Sequence, residues 1–377
     1  MMLRCSNYHI KNTSVNQKKL KMNSLDIGKT SVDFSCGQMN TLTNDNNFTV
    51  SQSFSFPTLY LKQYQLAKVN ISNADVEIKV ATNELVFELK KTYYYLAYYN
   101  SKLLLLKSLD SLYDHFIKSA ELKVKMGESA PMELYTARSQ SMEMKIQIDQ
   151  TNSDIAIYTN KFQLLLNEKE PVAIKDENLP KLNFSTTVDS SIIAKNPNLE
   201  IVKQQVEMSK LQHKIEKAKL LPDFNIGYFN QSIIGNQEVN GIPVYYGKNN
   251  RFTGIQAGVS IPLWFIPQQS NAKAAGVKEK MAVNTYESFK LSLQKQFQSA
   301  YQEYLKYQKS MDYYESTAIP LANMIIEHAE KNYNAGNINY VEYVQNLDKA
   351  ISINSNYLNT LHSYDQSVIE LEFLIGK

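Results

Sequence analysis

The ten residues FTVSQSFSFP (48–57) set Phe48, Val50, Phe54 and Phe56 on one side of an extended chain and Thr49, Ser51, Ser53 and Ser55 on the other. Alternation with period two predicts a strand with one apolar and one hydroxyl-lined face. Pro57 closes it, because proline has no ladder donor but suits the first turn of a helix. Three covers for the apolar face are open: the core of an ordinary soluble protein, which is the commonest case, a stacked amyloid-like copy, or lipid around a barrel with a wet lumen.

This stretch has a partner. FTGIQAGVSIP (252–262) ends with Val259 and Ile261 where Phe54 and Phe56 stood, Ser260 where Ser55 stood, and Pro262 where Pro57 stood. Another alternating run precedes each, SVDFSC (31–36) and DFNIGYF (223–229), across the polar, turn-rich loops GQMNTLTNDNN and QSIIGNQEVNGIPVYYGKNN. Four strands in two hairpins are expected, at 29–57 and 222–262.

After each proline, apolar residues recur at threes and fours, over 59–126 and again over 264–335. About 68 helical residues at a 1.5 Å rise span roughly 100 Å, longer than any compact domain needs. Both helices stop in the same frame: Glu121, Gly127, Glu133 in AELKVKMGESAPMELY and Glu330, Gly336, Glu342 in AEKNYNAGNINYVEYV. Glycine supplies a left-handed closing residue, and Pro131 or Asn339 suits the next helix start. The chain therefore divides into an N-terminal segment (1–28), the first β-hairpin (29–57), a long helical hairpin with its tip near 127–131 (58–168), a linker (169–191), a helix (192–221), the second β-hairpin (222–262) and a second long helical hairpin with its tip near 336–339 (263–377).

Composition narrows the classes. The 377 residues are 43% hydrophobic, with 40 Lys+Arg against 37 Asp+Glu, so neither disorder nor a basic field for nucleic acid is indicated. Only 12 Gly and 10 Pro favour long uninterrupted elements, and 25 Tyr is unusual. Cys5 and Cys36 build no disulfide framework. No stretch is apolar enough for a transmembrane helix, and the first residues lack the apolar core of a secretory signal, which leaves a cytosolic protein or a start that lies elsewhere.

No constellation for catalysis or a cofactor emerges. GKT (28–30) ends like a phosphate-binding loop, but the position of its first glycine is Asn23. His9, His115, His213, His328 and His362 fall in no metal-ligand spacing. Met126, Met132, Met142 and Met144 gather near the first tip; soft thioethers suit Cu(I), and packing is the commoner reading. Glu327, Glu330 and Glu342 would ring a pore if threefold symmetry multiplied them, against the commoner reading of a solvated face beside Lys331.

Context decides the cover of the apolar strands. Interleaved with helices of roughly 100 Å, four strands have no layer placed to cover them, so lipid is the natural cover. Four strands cannot close, and open edges in lipid leave backbone groups unpaired, so copies of the chain must complete the sheet. The strand-Pro-helix units, NPNLEIVKQQVEMSKLQHKIEKAKLLPDF (196–224) and the tip YNAGNINYVEYVQNLDKA (333–350) resemble the TolC family of bacterial outer-membrane efflux proteins, notably its heavy-metal efflux branch, over residues 29–377.

That resemblance implies a mainly α fold with a small β part. Very long helical hairpins would form a periplasmic α-barrel, and each chain of a homotrimer would give four strands to a twelve-stranded outer-membrane β-barrel. Thr49, Ser51, Ser53, Ser55 and Ser260 would face the lumen, and Phe48, Val50, Phe54, Phe56, Val259 and Ile261 the lipid. Gly127, Glu128, Ser129, Ala130, Pro131, Gly336, Asn337, Ile338 and Asn339 would dock a periplasmic adaptor fed by an inner-membrane pump. The linker corresponds to the equatorial region, and the expected function is passive conduction of solute, heavy-metal cations included, with no enzymatic step, resident metal or cofactor. One departure stands out: the second repeat enters its first strand through a helix, whereas the first has only VNQKKLKMNSLDIGKT there, as in a truncated member or the tail of a pump fusion. The alternative is a cytosolic coiled-coil scaffold.

Overall fold

The computed structural model describes residues 13, 16–20, 27–127, 131–168, 170, 172, 174, 178–184 and 190–377. Its contacts divide the chain into two units, one within residues 11–77 and 200–289, the other within 78–199 and 290–377.

Among the described residues, all the strands fall in the first unit. β1 (Thr30–Gly37), β2 (Asp45–Phe54), β3 (Asp223–Ser232) and β6 (Arg251–Ser260) form one antiparallel sheet in the order β1-β2-β3-β6. Both expected hairpins are present, and β2 pairs with β3 to join them, with Val50 opposite Tyr228 and Phe54 opposite Phe224. The strand number needs correction. The loop between β3 and β6 contains its own ribbon, β4 (Gly235–Val239) and β5 (Ile242–Tyr246). Asn240 (φ 55°) and Gly241 (φ 80°) turn it, the two positive angles that a type I′ turn requires. The Asn-Gly signal was in the sequence, hidden in a stretch read as loop.

α1 (Pro57–Lys125) starts at the expected proline, and its 69 residues hold no Pro or Gly after the first. Near its start Leu59 is buried against Ile215 and Ala218 of α3 (Pro197–Ala218). Gln204 Nε2 donates to Ser72 Oγ at 3.2 Å, and His213 Nδ1 lies 2.6 Å from Glu279 Oε2 on α4 (Ile266–Tyr313). Of the N-terminal segment, residues 16–20 are helical, and Lys18 Nζ reaches Glu77 Oε1 at 3.3 Å.

The second unit is helical: the rest of α1, α2 (Pro131–Leu166), a 3₁₀ turn (Ser190–Lys195), the rest of α4, a π turn (Tyr314–Ala318), α5 (Ile319–Asn334) and α6 (Tyr340–Leu374). The single helix expected over 264–335 is thus interrupted. Pro320 has no N–H for the carbonyl of Ser316, and its ring would crowd that carbonyl. The widened turn relieves this, with the Ile319 N–H donating to Tyr314 O, five residues back.

Met311, Val368 and Leu371 are completely buried in this unit. Several tyrosines serve as helix-to-helix packing: the rings of Tyr95 and Tyr158 stack at 4.6 Å, and His362 sits 4.5 Å from both Tyr95 and Tyr98. Burial pushes the His362 imidazole down to about 4, so it is neutral. The NPN motif is a helix cap: Asn196 Oδ1 accepts from the Asn198 N–H at 2.8 Å while its Nδ2 donates to Leu374 O at 2.9 Å.

Candidate functional site

Strand register turns alternation into two opposed surfaces. Directly paired residues of an antiparallel sheet project to the same side. Val32 and Phe34 of β1, Phe48, Val50 and Phe54 of β2, Phe224, Ile226 and Tyr228 of β3, and Ile255, Ala257 and Val259 of β6 therefore share one face. Opposite them lie Ser31, Asp33, Thr49, Ser51, Ser53, Asn225, Gly227, Gln256, Gly258 and Ser260, with Phe229 and Phe252 as the aromatic exceptions.

Among the described residues of this unit nothing covers the apolar face. Phe34 is 70% and Ile255 81% exposed, and Phe48, Phe224, Ile226, Tyr228 and Val259 are exposed as well. A face this apolar and this extensive marks an interaction surface rather than an ordinary exterior. Among the described residues β1 and β6 are each paired on one side only, so the sheet presents two edges. Phe56 and Ile261 lie just beyond the strand ends, as does Ser55.

Asp45 pins the end of the sheet away from α1, a feature the sequence reading missed. It is wholly buried and accepts from Ile234 N (2.7 Å), Thr41 Oγ1 (3.1 Å), Asn40 N (3.3 Å) and Ser232 Oγ (3.4 Å). Donors from both hairpins meet on one carboxylate, so their outer ends are held together.

The helical tips belong to the other unit. Gly127 (φ 75°) and Gly336 (φ 73°) both adopt the left-handed conformation, and a Cβ at either would meet nothing, so the backbone angle alone calls for glycine. After α5, Gly336 N–H donates to Tyr333 O and Asn337 N–H to Asn332 O at 2.8 Å, the paired bonds of a Schellman close. Asn339 then caps α6, its side chain accepting from the Glu342 N–H while Glu342 accepts from the Asn339 N–H. Pro131 opens α2, Ile338 leans on the core below, and Glu128, Ser129 and Ala130 lie outside the described residues.

Beneath the tips, Phe116, Ala120, Ala137, Ala329, Tyr340, Tyr343 and Leu347 form a buried cluster drawn from α1, α2, α5 and α6. Phe116 stacks on Tyr340 and Tyr333 on Tyr343, both at 4.6 Å. The three carboxylates have separate local roles. Glu327 pairs with Lys331 at 2.5 Å, which holds its carboxyl below the usual range, Glu330 is exposed, and Glu342 serves the cap. Met126, Met132 and Met142 are exposed and Met144 is half-buried, so within the single chain the packing role expected for the methionine group does not hold for the first three.

Residues 178–184 run along the same unit as an extended strap. Leu179 N–H donates to Ser101 Oγ at 2.7 Å, Lys181 Nζ pairs with Glu315 at 2.8 Å in the π turn, and Leu182 N–H donates to Asp365 Oδ1 at 2.8 Å. Asp365 is completely buried, its Oδ2 is without a hydrogen-bond partner, and burial pushes its pKa up to about 7 against the opposing pull of the Leu182 N–H and Lys181. Among the described residues no helix is long and apolar enough to cross a membrane, and no three His, Cys, Asp or Glu side chains group to hold a metal.

The same architecture occurs in solved channels. The chain is similar to CusC (TM-score 0.78, 13% identity, 98% of this chain and 89% of that one) and to the outer-membrane channel OprN (0.80, 12%, 98% and 86%). It is also similar to the outer membrane protein VceC of Vibrio cholerae (0.77, 13%, 99% and 94%). At these identities the likeness establishes the fold: mainly helical, with a small sheet. No curated protein matches the sequence. The sequence pattern of the family described as outer membrane efflux protein matches residues 189–377, half of the chain, which takes in the second strand pair, the Schellman tip and α6. The chain belongs to the outer membrane efflux protein family, the TolC-like family that its repeated strand-Pro-helix units resemble.

Proposed function

We propose that the chain is the outer-membrane component of a tripartite efflux system and acts as a passive conduit in a homotrimer. The observation that carries this reading is the uncovered apolar face shared by four long strands, backed by a face of Ser, Thr, Asn, Gln and Gly. Lipid satisfies the first face and a water-filled lumen the second. Strands of ten residues suit a tilted crossing of a bilayer. The unpaired edges of β1 and β6 would meet those of neighbouring copies, so that three chains supply twelve strands and no edge remains in lipid. A soluble scaffold would leave the whole face in water, at about 25 cal/mol for each Å² of apolar surface.

In this reading Thr49, Ser51, Ser53, Ser55 and Ser260 line the lumen, and Phe48, Val50, Phe54, Phe56, Val259 and Ile261 meet lipid. The helical hairpins at 58–168 and 263–377, with the helix at 192–221, build a periplasmic α-barrel belted by the linker at 169–191. An adaptor bound to an inner-membrane pump docks on the tips around Gly127 to Pro131 and Gly336 to Asn339. The pump supplies the energy, and splaying of the tips opens the tube. Glu327 and Glu330 are read as a solvated face. Heavy-metal cations are the proposed solute, on the resemblance of the repeated units to that branch.

Particle mass and outline test the conduit. The chain, expressed with a supplied signal peptide and extracted in detergent, is expected to give the mass of three copies by native mass spectrometry and a threefold tube by negative-stain microscopy; a soluble monomer or dimer would sink the reading. Metal retained by cells carrying the pump and adaptor with and without this chain tests the solute, and equal retention removes the metal assignment.

A further inference from the structure

The polar face of the sheet carries a pattern of size. Along the seam between β3 and β6, three successive pairs on that face each set a glycine against a larger residue: Asn225 against Gly258, Gly227 against Gln256, and Phe229 against Gly254. The glycine changes strand from one pair to the next. Along the seam between β1 and β2 the same face sets Ser31 against Ser51 and Asp33 against Thr49, short side chains on both strands.

Two of the three glycines are occupied seats. A Cβ at Gly254 would lie 2.6 Å from both Cε1 and Cζ of Phe229, so the end of the ring lies over the glycine backbone. A Cβ at Gly227 would lie 2.7 Å from Nε2 and 2.9 Å from Cγ of Gln256, so that side chain lies over its glycine too. At Gly258 the nearest atom is Asn225 Cβ at 3.9 Å, an ordinary contact. None of the three has a positive φ, so Gly254 and Gly227 are required for space, whereas Gly127 and Gly336 are required for their backbone angle. Side chains on a strand ordinarily stand roughly perpendicular to the sheet. Phe229 has Gly254 on one side and Thr49 on the other, which leaves its ring room to lie along the wall. Phe252, the next aromatic outward, is held against Tyr246 of the β4-β5 ribbon, with ring centroids 5.3 Å apart.

We infer that Gly254 and Gly227 set the bore of the barrel: they are the notches into which Phe229 and Gln256 fold, so that these two large side chains lie along the lumen wall and leave the passage open to bulky solute. This inference rests on the barrel reading and adds to it the residues that limit solute size within the sheet. The atoms of Phe229 nearest Gly254 are the far end of a rotatable side chain, so a methyl at 254 displaces the ring by side-chain rotation rather than by moving the strands, and the ring then stands in the bore.

Cysteine labelling reads the bore locally, because Thr49 lies beside Phe229 on the polar face and Val50 lies on the apolar face. The full chain, with Cys5→Ser and Cys36→Ser, would carry either Thr49→Cys or Val50→Cys in phosphatidylcholine nanodiscs, which leave both ends of the tube open to reagent. The probes are ethyltrimethylammonium methanethiosulfonate, which is small and charged, and a series of maleimides on polyethylene glycol chains of increasing length. Thr49→Cys is expected to react with the small probe and with maleimides up to a cut-off length, and Val50→Cys to be protected by lipid. Adding Gly254→Ala should shorten that cut-off without slowing the small probe, adding Phe229→Ala to Gly254→Ala should restore it, and Gly258→Ala should leave it unchanged. An unchanged cut-off in Gly254→Ala trimers, or a shortened one that Phe229→Ala does not reverse, would overturn the bore assignment, and the barrel stands if Val50→Cys is still protected. Reaction of Val50→Cys as fast as Thr49→Cys rejects the barrel and the bore together. Gly227→Ala, read at Ser51→Cys directly opposite it, repeats the test at the second notch and settles the matter if Gly254→Ala fails to assemble.

Discussion

Replacing Asp365 by Asn should make the protein more stable at neutral and alkaline pH, and the gain should shrink on acidification. Burial pushes the native carboxyl up to about 7 from its ordinary 3.8, disfavouring its charge more than the Leu182 N–H and Lys181 favour it. A native pKa raised above the unfolded one means that the folded state holds the proton over this window. Stability is therefore lost as pH rises from about 4 to about 7, then levels off. A rise from 3.8 to about 7 corresponds to about 4 kcal/mol. By the same linkage the cost is about 4 kcal/mol at pH 8 and about 1.5 kcal/mol at pH 5. Asn keeps the acceptor for the Leu182 N–H and does not titrate. Any pH-independent cost of its own amide cancels when the two pH values are compared. Denaturant midpoints by circular dichroism, for both proteins at pH 5 and pH 8, should show a gap between them that narrows by about 2.5 kcal/mol on going to pH 5. An unchanged gap would mean that Asp365 stays ionised throughout, with Lys181 outweighing burial, and would refute the reasoning.

Gly336→Val places a β-branched residue at a positive φ, at a cost of at least about 1–2 kcal/mol confined to the turn, so export should fail while trimers survive; normal export by trimeric protein would remove the tip from the mechanism. Asp45→Ala strands four donors in a buried site, two of them backbone N–H groups, and should cost about 3 kcal/mol or more, read as a lower temperature for loss of the sheet signal in circular dichroism. Unchanged melting would show that the two hairpins hold without their staple. Phe116→Ala removes the ring that stacks on Tyr340 and should destabilise by about 3–5 kcal/mol, with denaturant midpoints as the readout; a loss below about 1 kcal/mol would mean that the tip cluster collapses to fill the space.

What was legible without coordinates is what depends on near neighbours along the chain. Alternation around Phe48 and around Val259 marked strands, because side chains of an extended backbone alternate whatever surrounds them. Gly127 and Gly336 marked helix ends, because a left-handed residue excludes a Cβ locally. Pro57 and Pro262 marked the joints, and the duplicated order of these signals pointed to the family. Other features came from residues far apart in sequence. No periodicity tells β2 to pair with β3, nor that Asp45 will gather donors from both hairpins, because these contacts form only when distant segments meet. Pro320 was visible, but the turn that absorbs it depends on neighbours that keep the helix running beyond it. Asp365 reads as one more helix carboxylate until packing removes its water. Trp264 and Leu59 follow strand ends of the same pattern, yet one is bare and the other buried, since exposure belongs to the assembled surface and alternation only to the strand.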